Sequence, residues 1–141
     1  MVSARIDDLP VGMTVAAFAS VSLSPPLIVV SLERQAVTLT AVVDNGCFAV
    51  NVLSDEQRAL SDRFALPGTE LTRFEGVRLL ESEAAESPLI ADALVHLDCR
   101  LEATHGAGDH VLCIGRVNLA LHHSGQPLLF HASSYHRLAR L

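Results

Sequence analysis

The sequence predicts a mainly β fold, an antiparallel barrel carrying two or three short helices, and three observations lead there. Val95 to Ala103 alternates without a break, apolar on odd positions and polar on even ones, the pattern of a half-buried strand. Short apolar segments recur along the chain between Gly, Pro, Asp and Asn turn signals, as in a closed β architecture. Helix signals are confined to two brief stretches, too few for the alternating strand–helix order of a parallel sheet.

Taken in order, Val2 to Ile6 and Gly12 to Phe18 read as two strands joined by the polar turn Asp7-Asp8-Leu9-Pro10. Leu27 to Leu32 is a continuous β-branched run, which predicts a strand buried on both faces. Ala36 to Val43 reads as a short apolar helix ended by Asn45-Gly46, a left-handed C-terminus. Cys47 to Leu53 is the next strand. Ser54-Asp55-Glu56-Gln57 has the form of a capping box and should start a helix that runs to about Ala65, before Pro67-Gly68.

The second half reads as sheet. Val95 to Ala103 and Val111 to Leu121 form a long hairpin around Gly106-Ala107-Gly108-Asp109, with Val117, Leu119 and Leu121 facing in and Arg116 and Asn118 out. Asp98 falls on the outer face and Asp92 at a strand end. Gly125-Gln126-Pro127 turns into Leu128-Leu129-Phe130.

The 141 residues make one domain, 1–141, large enough to bury a core without staples. Half are hydrophobic, yet no apolar run reaches the ~20 residues that span a bilayer, and Met1 to Asp8 lacks the basic start and apolar centre of a signal peptide. A cytoplasmic protein is expected. A net charge of −6 without a basic stripe argues against nucleic-acid binding. All ten basic residues are Arg, a bias that suits phosphate recognition and that a GC-rich genome also produces. Cys47, Cys99 and Cys113 lack metal spacing and read as reduced, buried thiols, so no metal site is expected. His122-His123 cannot chelate one ion together, because neighbours on a strand point to opposite faces.

A set of markers then lines up from end to end. These are Gly12-Met13-Thr14, then Phe18 and Ser20-Val21-Ser22-Leu23 leading to Pro25-Pro26-Leu27, followed by Phe48 to Leu53 and Arg63-Phe64-Ala65. Gly108-Asp109-His110, Pro127 to His131 and a closing Tyr135 complete the series. Together they resemble the flavin reductase-like family, the FMN-binding split β-barrels. The resemblance covers nearly the whole chain. It implies a homodimer that uses NADH or NADPH to reduce FMN or FAD and supplies an oxygenase partner.

Carried over residue by residue, the resemblance places the flavin ring against Thr14, Val15, Ala16 and Ala17. It places the phosphate end near Ser31, Leu32, Arg34, Gln35, Ala36 and Val37, with Phe64 nearby. The nicotinamide side would meet His110 and the segment His131, Ala132, Ser133 and Ser134, with His110 and His131 as the catalytic candidates. Where the family often has Asn, Ser or Thr, this chain has Ala16, Ala17, Ala19 and Ala36, with Gln35 alongside. A hydrogen bond to a charged phosphate contributes ~1.5–3 kcal/mol, so the implied flavin is weakly held and exchangeable. The family's usual N-terminal helix is also not seen before Val2.

Backbone groups leaving a strand can still meet the flavin's O2, N3 and O4 whatever the side chains. Hydride transfer asks the protein for position and a dry cleft more than for acid–base groups. Two other functions stay open at this point. One is a split barrel that has lost flavin reduction and binds another planar or apolar ligand; the other is a different reaction in the same cleft. A hydrolase built on Ser133, Ser134 and His131 is not supported, because no nucleophile elbow is present.

Overall fold

The computed structural model describes residues 1–139. Its centre is a seven-stranded antiparallel sheet, built from β1 (Val2–Ile6), β2 (Leu9–Met13), β3 (Phe18–Leu23), β4 (Pro26–Glu33), β5 (Cys47–Val52), β8 (Val95–Ala107) and β9 (His110–His122), in the spatial order β2-β1-β5-β8-β9-β4-β3. The ladder does not close: the strand pattern alone suggests a closed barrel, and the sheet is instead the split barrel that the family resemblance implies, with β2 and β3 as the two edges. Those edges are consecutive in the chain. Only Thr14 to Ala17 separate them, and five Cα steps reach at most about 18 Å. The sheet must therefore curl until its edges nearly meet, with this short loop spanning the gap.

The strand expected over Gly12 to Phe18 is divided for that reason. Val2 pairs with Met13, so β1 offers no partner beyond it, and ladder pairing resumes only when Phe18 meets Val30 of β4. On β4, Ile28, Val30 and Leu32 are buried, whereas Leu27, Val29 and Ser31 are half-buried. Only one face meets the core, so the expectation of full burial on both faces is corrected. A cis Ser24–Pro25 bond lies in the turn between β3 and β4.

α1 (Val37–Asn45) ends at Gly46 with φ +67°, and the Gly46 N–H donates to Val42 O at 3.0 Å. Ser54 begins a single 3-10 turn, Asp55–Gln57, held by its N–H donating to Gln57 Oε1 at 3.0 Å, and α2 (Arg58–Ala65) follows. The remaining strands are β6 (Leu79–Leu80) with β7 (Leu89–Ile90), and β10 (Leu129–His131) with β11 (Ser134–His136).

Two hydrophobic clusters result. The larger packs α1 against the sheet and contains Val11, Val30, Leu32, Val42 and Phe48. The smaller gathers Leu53, Phe64, Phe74 and Ile90 under α2 and the 66–94 segment, with Phe64 and Phe74 edge to face at 4.8 Å. This second layer corrects the reading of β8. Asp98 is buried, and its carboxylate accepts the N–H groups of Glu86 (2.9 Å) and Ser87 (3.2 Å). His96 is fully buried, with Nε2 2.7 Å from Ile90 O. His96 and Asp98 face a covering segment whose turns gave no sign of it in the sequence, whereas Arg100 and Glu102 further along are exposed as expected.

Candidate functional site

The loop across the split in the sheet is fixed at both ends. Thr14 N–H donates to Phe64 O at 3.1 Å and Thr14 Oγ1 donates to Ser61 O at 2.8 Å, which ties the loop to α2. Ser31 N–H donates to Ala17 O at 3.1 Å, which ties it to β4. Just before the loop, the buried Arg73 donates from Nη1 to Gly12 O at 2.9 Å. Gly12 itself is required here: a Cβ would lie 2.6 Å from Val2 O and 3.2 Å from the Phe74 ring. Between the anchors, Val15 and Ala16 make no backbone hydrogen bond to any described residue. Their N–H and C=O groups face a ligand or water.

That free backbone lines a cleft of about 420 Å³. Thr14, Val15 and Ala16 of the loop, Phe18 of β3, Val50 and Val52 of β5, and Phe130 and Tyr135 of the β10–β11 hairpin contribute its walls. The walls are largely apolar with a few convergent polar groups, the usual character of a site for a planar organic molecule. Tyr135 is locked in place, donating to Asp62 Oδ1 at 2.8 Å and lying 3.1 Å from Ser61 Oγ. Partial burial raises its phenol above the ordinary tyrosine value. Ser61 thus joins the two walls, touching Thr14 through its carbonyl and Tyr135 through its hydroxyl.

The structure brings some of the expected residues together and leaves others apart. Thr14, Val15 and Ala16 line the cleft, and Ala17 sits at its edge, bonded to Ser31. Leu32 and Phe64 are fully buried in the two cores, so neither side chain reaches a ligand; Phe64 acts through its carbonyl on Thr14. Arg34 and Gln35 are exposed, Ala36 and Val37 half-buried. Arg34 binds the tip of the long hairpin, with its N–H on Asp109 O (2.9 Å) and Nε on Gly108 O (2.8 Å).

His110 lies beside Arg34, opposite Glu33 in the ladder, with Nδ1 2.7 Å from Asp109 Oδ1; that contact holds the Asp109 carboxyl below the usual range. It does not line the cleft. Nor do His131, Ala132, Ser133 and Ser134, although their neighbours Phe130 and Tyr135 do. Phe130 pairs with Tyr135 and His131 with Ser134, so the second pair points to the opposite face of the hairpin. Ala132 and Ser133 form the tight turn, with φ +50° and +59°.

Three positions escaped the sequence reading. Phe18 and Tyr135 were seen only as markers, although both line the cleft. Thr38, in the first turn of α1, has a buried Oγ1 without a hydrogen-bond partner among the described residues. The N–H groups of Val37 and Thr38 also lack backbone acceptors among the described residues. An orphan hydroxyl beside free helix-start amides is the donor set of a phosphate cradle, and a Thr two residues past a helix start was the available signal.

A family model described as "Flavin reductase like domain" matches residues 1–139. The chain belongs to the flavin reductase-like family. It is 39% identical over 130 residues to an NADH-dependent flavin reductase of a Rhodococcus species, covering 92% of this chain and 71% of that one. It is 36% identical over 130 residues to the reductase subunit HsaB of a flavin-dependent monooxygenase from Rhodococcus jostii, covering 92% and 65%. This flavin reductase-like chain therefore spans about two thirds of the length of these relatives. Among solved structures, the Streptomyces globisporus NADH:FAD oxidoreductase SgcE6 in complex with NAD and FAD fragments superimposes with a TM-score of 0.89 at 32% identity, covering 98% of this chain and 82% of that one.

The residues present fit a flavin. The cleft offers unpaired backbone donors and acceptors on an apolar wall, and the α1 start offers an orphan hydroxyl with free amides.

Proposed function

We propose that this chain is an NADH-dependent flavin reductase that supplies reduced flavin to an oxygenase, the role that the names of its relatives describe. The observation that carries the reading is the unpaired backbone of Val15 and Ala16, on the wall of an apolar cleft that spans the split between β2 and β3. A bound flavin supplies the hydride-accepting ring. Everything else falls to the chain. Val15 and Ala16 hold the ring's polar edge by backbone groups, and Phe18, Val50 and Val52 keep water from its face. The start of α1, with Thr38, takes the phosphate end.

Ala16, Ala17 and Ala36 add no side-chain hydrogen bond, so binding is weak enough for reduced flavin to leave for a partner. FMN and FAD are both accommodated in this reading, with NADH preferred over NADPH as reductant. The family resemblance assigns His110 and His131, which lie outside this cleft, to the nicotinamide side. His110→Ala and His131→Ala are expected to lower kcat/KM for NADH, and unchanged values in both variants remove that assignment.

The test of the flavin site itself is a fluorescence titration of FMN and FAD with purified protein. Saturable quenching, with flavin lost on gel filtration, is expected. No quenching by either flavin contradicts the reading.

The proposal extends to a homodimer. β3 is an unpaired edge whose Phe18, Val21 and Leu23 stand 41%, 52% and 95% exposed, a surface that monomers rarely leave to water. Light scattering behind size-exclusion chromatography decides it; a monomeric mass rejects the dimer.

A further inference from the structure

Arg73 is 4% exposed, a cation buried near the cleft without lining it. It stands just past α2, in a stretch fastened to that helix. Arg63 Nη2 donates to Thr72 O and Glu75 O, both at 2.9 Å, and the Phe74 ring packs on Phe64. From this base the Arg73 guanidinium uses all three of its nitrogens. Nε donates to Thr69 Oγ1 at 3.2 Å, Nη1 to Gly12 O at 2.9 Å and Nη2 to Leu66 O, with Glu70 Oε1 3.5 Å from Nη2.

Two of those acceptors belong to different elements. Leu66 caps the end of α2, and Gly12 lies on β2 two residues before the loop. One rigid, planar fork therefore holds the end of the helix against the end of the strand. The bonds from Thr14 to Phe64 O and Ser61 O continue the same join into the loop. The far end of the loop rests on β4 instead, through Ser31 N–H on Ala17 O. Burying a charge is unfavourable, and an apolar side chain of similar volume fills such a space at a lower desolvation cost. What an apolar side chain cannot do is set the separation of Gly12 O and Leu66 O.

We propose that Arg73 is a positioning residue for the flavin ring: by tying Gly12 to the end of α2, it sets where the unpaired backbone groups of Val15 and Ala16 stand. The inference rests on the flavin reductase reading and adds to it a residue outside the cleft that governs ring binding. Arg73 touches no ligand and acts through Gly12 and the loop. The loop meets the ring and not the phosphate end, so the effect of Arg73 is the same for riboflavin, FMN and FAD, which share the ring and differ beyond it.

The experiment compares the wild type with Arg73→Lys, which keeps the charge and loses the fork. In the ligand-free proteins, amide hydrogen exchange is read at Thr14 and Ser31, the two anchored ends of the loop. Flavin fluorescence then gives dissociation constants for riboflavin, FMN and FAD. The variant is expected to exchange the Thr14 N–H about tenfold faster with Ser31 unchanged, and to bind all three flavins about tenfold more weakly, the weight of one charge-assisted hydrogen bond. Equal acceleration at both amides means lost overall stability alone and overturns the proposal. Wild-type exchange at Thr14 overturns it too, as do unchanged flavin affinities or a loss confined to FMN and FAD.

If Arg73→Lys does not fold, Thr69→Val removes only the acceptor of Nε and takes its place. The same pattern with smaller changes is expected there, and wild-type values overturn the proposal. A wild type that binds none of the three flavins removes the functional reading, while exchange at Thr14 still decides whether Arg73 holds the loop.

Discussion

The long hairpin β8–β9 and the short hairpin β10–β11 use the same device, two antiparallel strands joined by a two-residue turn, yet they stand in opposite relations to the rest of the molecule. β8 and β9 lie in the middle of the sheet and pair with each other along nearly their whole length, while β5 flanks Val95 to Arg100 of β8 and β4 flanks His110 to Arg116 of β9. β10 and β11 pair only with each other, and side chains dock them: Tyr135 on Ser61 and Asp62, Arg137 on Asp55. The embedded hairpin inherits its position from neighbours and carries stability. The free-standing one owes its position to a few polar contacts, and it forms the cleft wall that a ligand meets. Changes in the first should register in folding, and changes in the second in binding.

The largest effect is expected at Gly115 on β9. A Cβ there would lie 2.5 Å from Phe48 Cζ and 2.9 Å from Cys99 Cβ, and Phe48 is fully buried. Gly115→Ala should cost ~1–3 kcal/mol by overpacking, read as a lower urea midpoint at unchanged slope. A neutral result would mean that the Phe48 ring is free to move, against the rigid centre described here.

His96 on β8 sharpens the comparison through pH. Burial is the main cause that lowers its pKa below the ordinary 6.5, with the neighbouring His123 adding to the effect; Nδ1 has no partner among the described residues. The unfolded chain then holds the proton more tightly than the folded one. The stability this confers is complete above about pH 6.5 and declines as pH falls through that value. Thermal melts across that range should show it, and His96→Gln should flatten the slope. An equal slope in the variant would place the acid sensitivity elsewhere.

The smallest effect is expected in the free hairpin's turn. Ala132 and Ser133 both hold left-handed backbone conformations that L side chains disfavour by ~1–2 kcal/mol. Ala132→Gly should relieve part of that, raising global stability by less than ~1 kcal/mol while changing the dissociation constants for cleft ligands. A large stability change with unchanged binding would invert the division of labour between the two hairpins.

Much of this was legible in the sequence, for identifiable reasons. The β8 alternation, the left-handed end of α1 at Gly46 and the Ser54 start are local signals, and local hydrogen bonding enforces them. The loop from Thr14 to Ala17 was seen as ring-binding through resemblance, but its placement across the split follows from which strands lie at the edges. No periodicity states that. The burial of His96 and Asp98 was illegible because the cover is the 66–94 segment, which is mostly turns. His131 entered as a site residue through the family resemblance, which left Tyr135 as a closing marker. Hairpin register then puts Tyr135 on the cleft wall and His131 on the opposite face.

The central claim is that the cleft between the loop and the free hairpin is a working flavin site. The direct measurement is NADH oxidation by the purified protein, with and without added FMN or FAD. Turnover that requires flavin and saturates with it is the predicted result. NADH consumption that is absent, or unchanged by either flavin, would contradict the account.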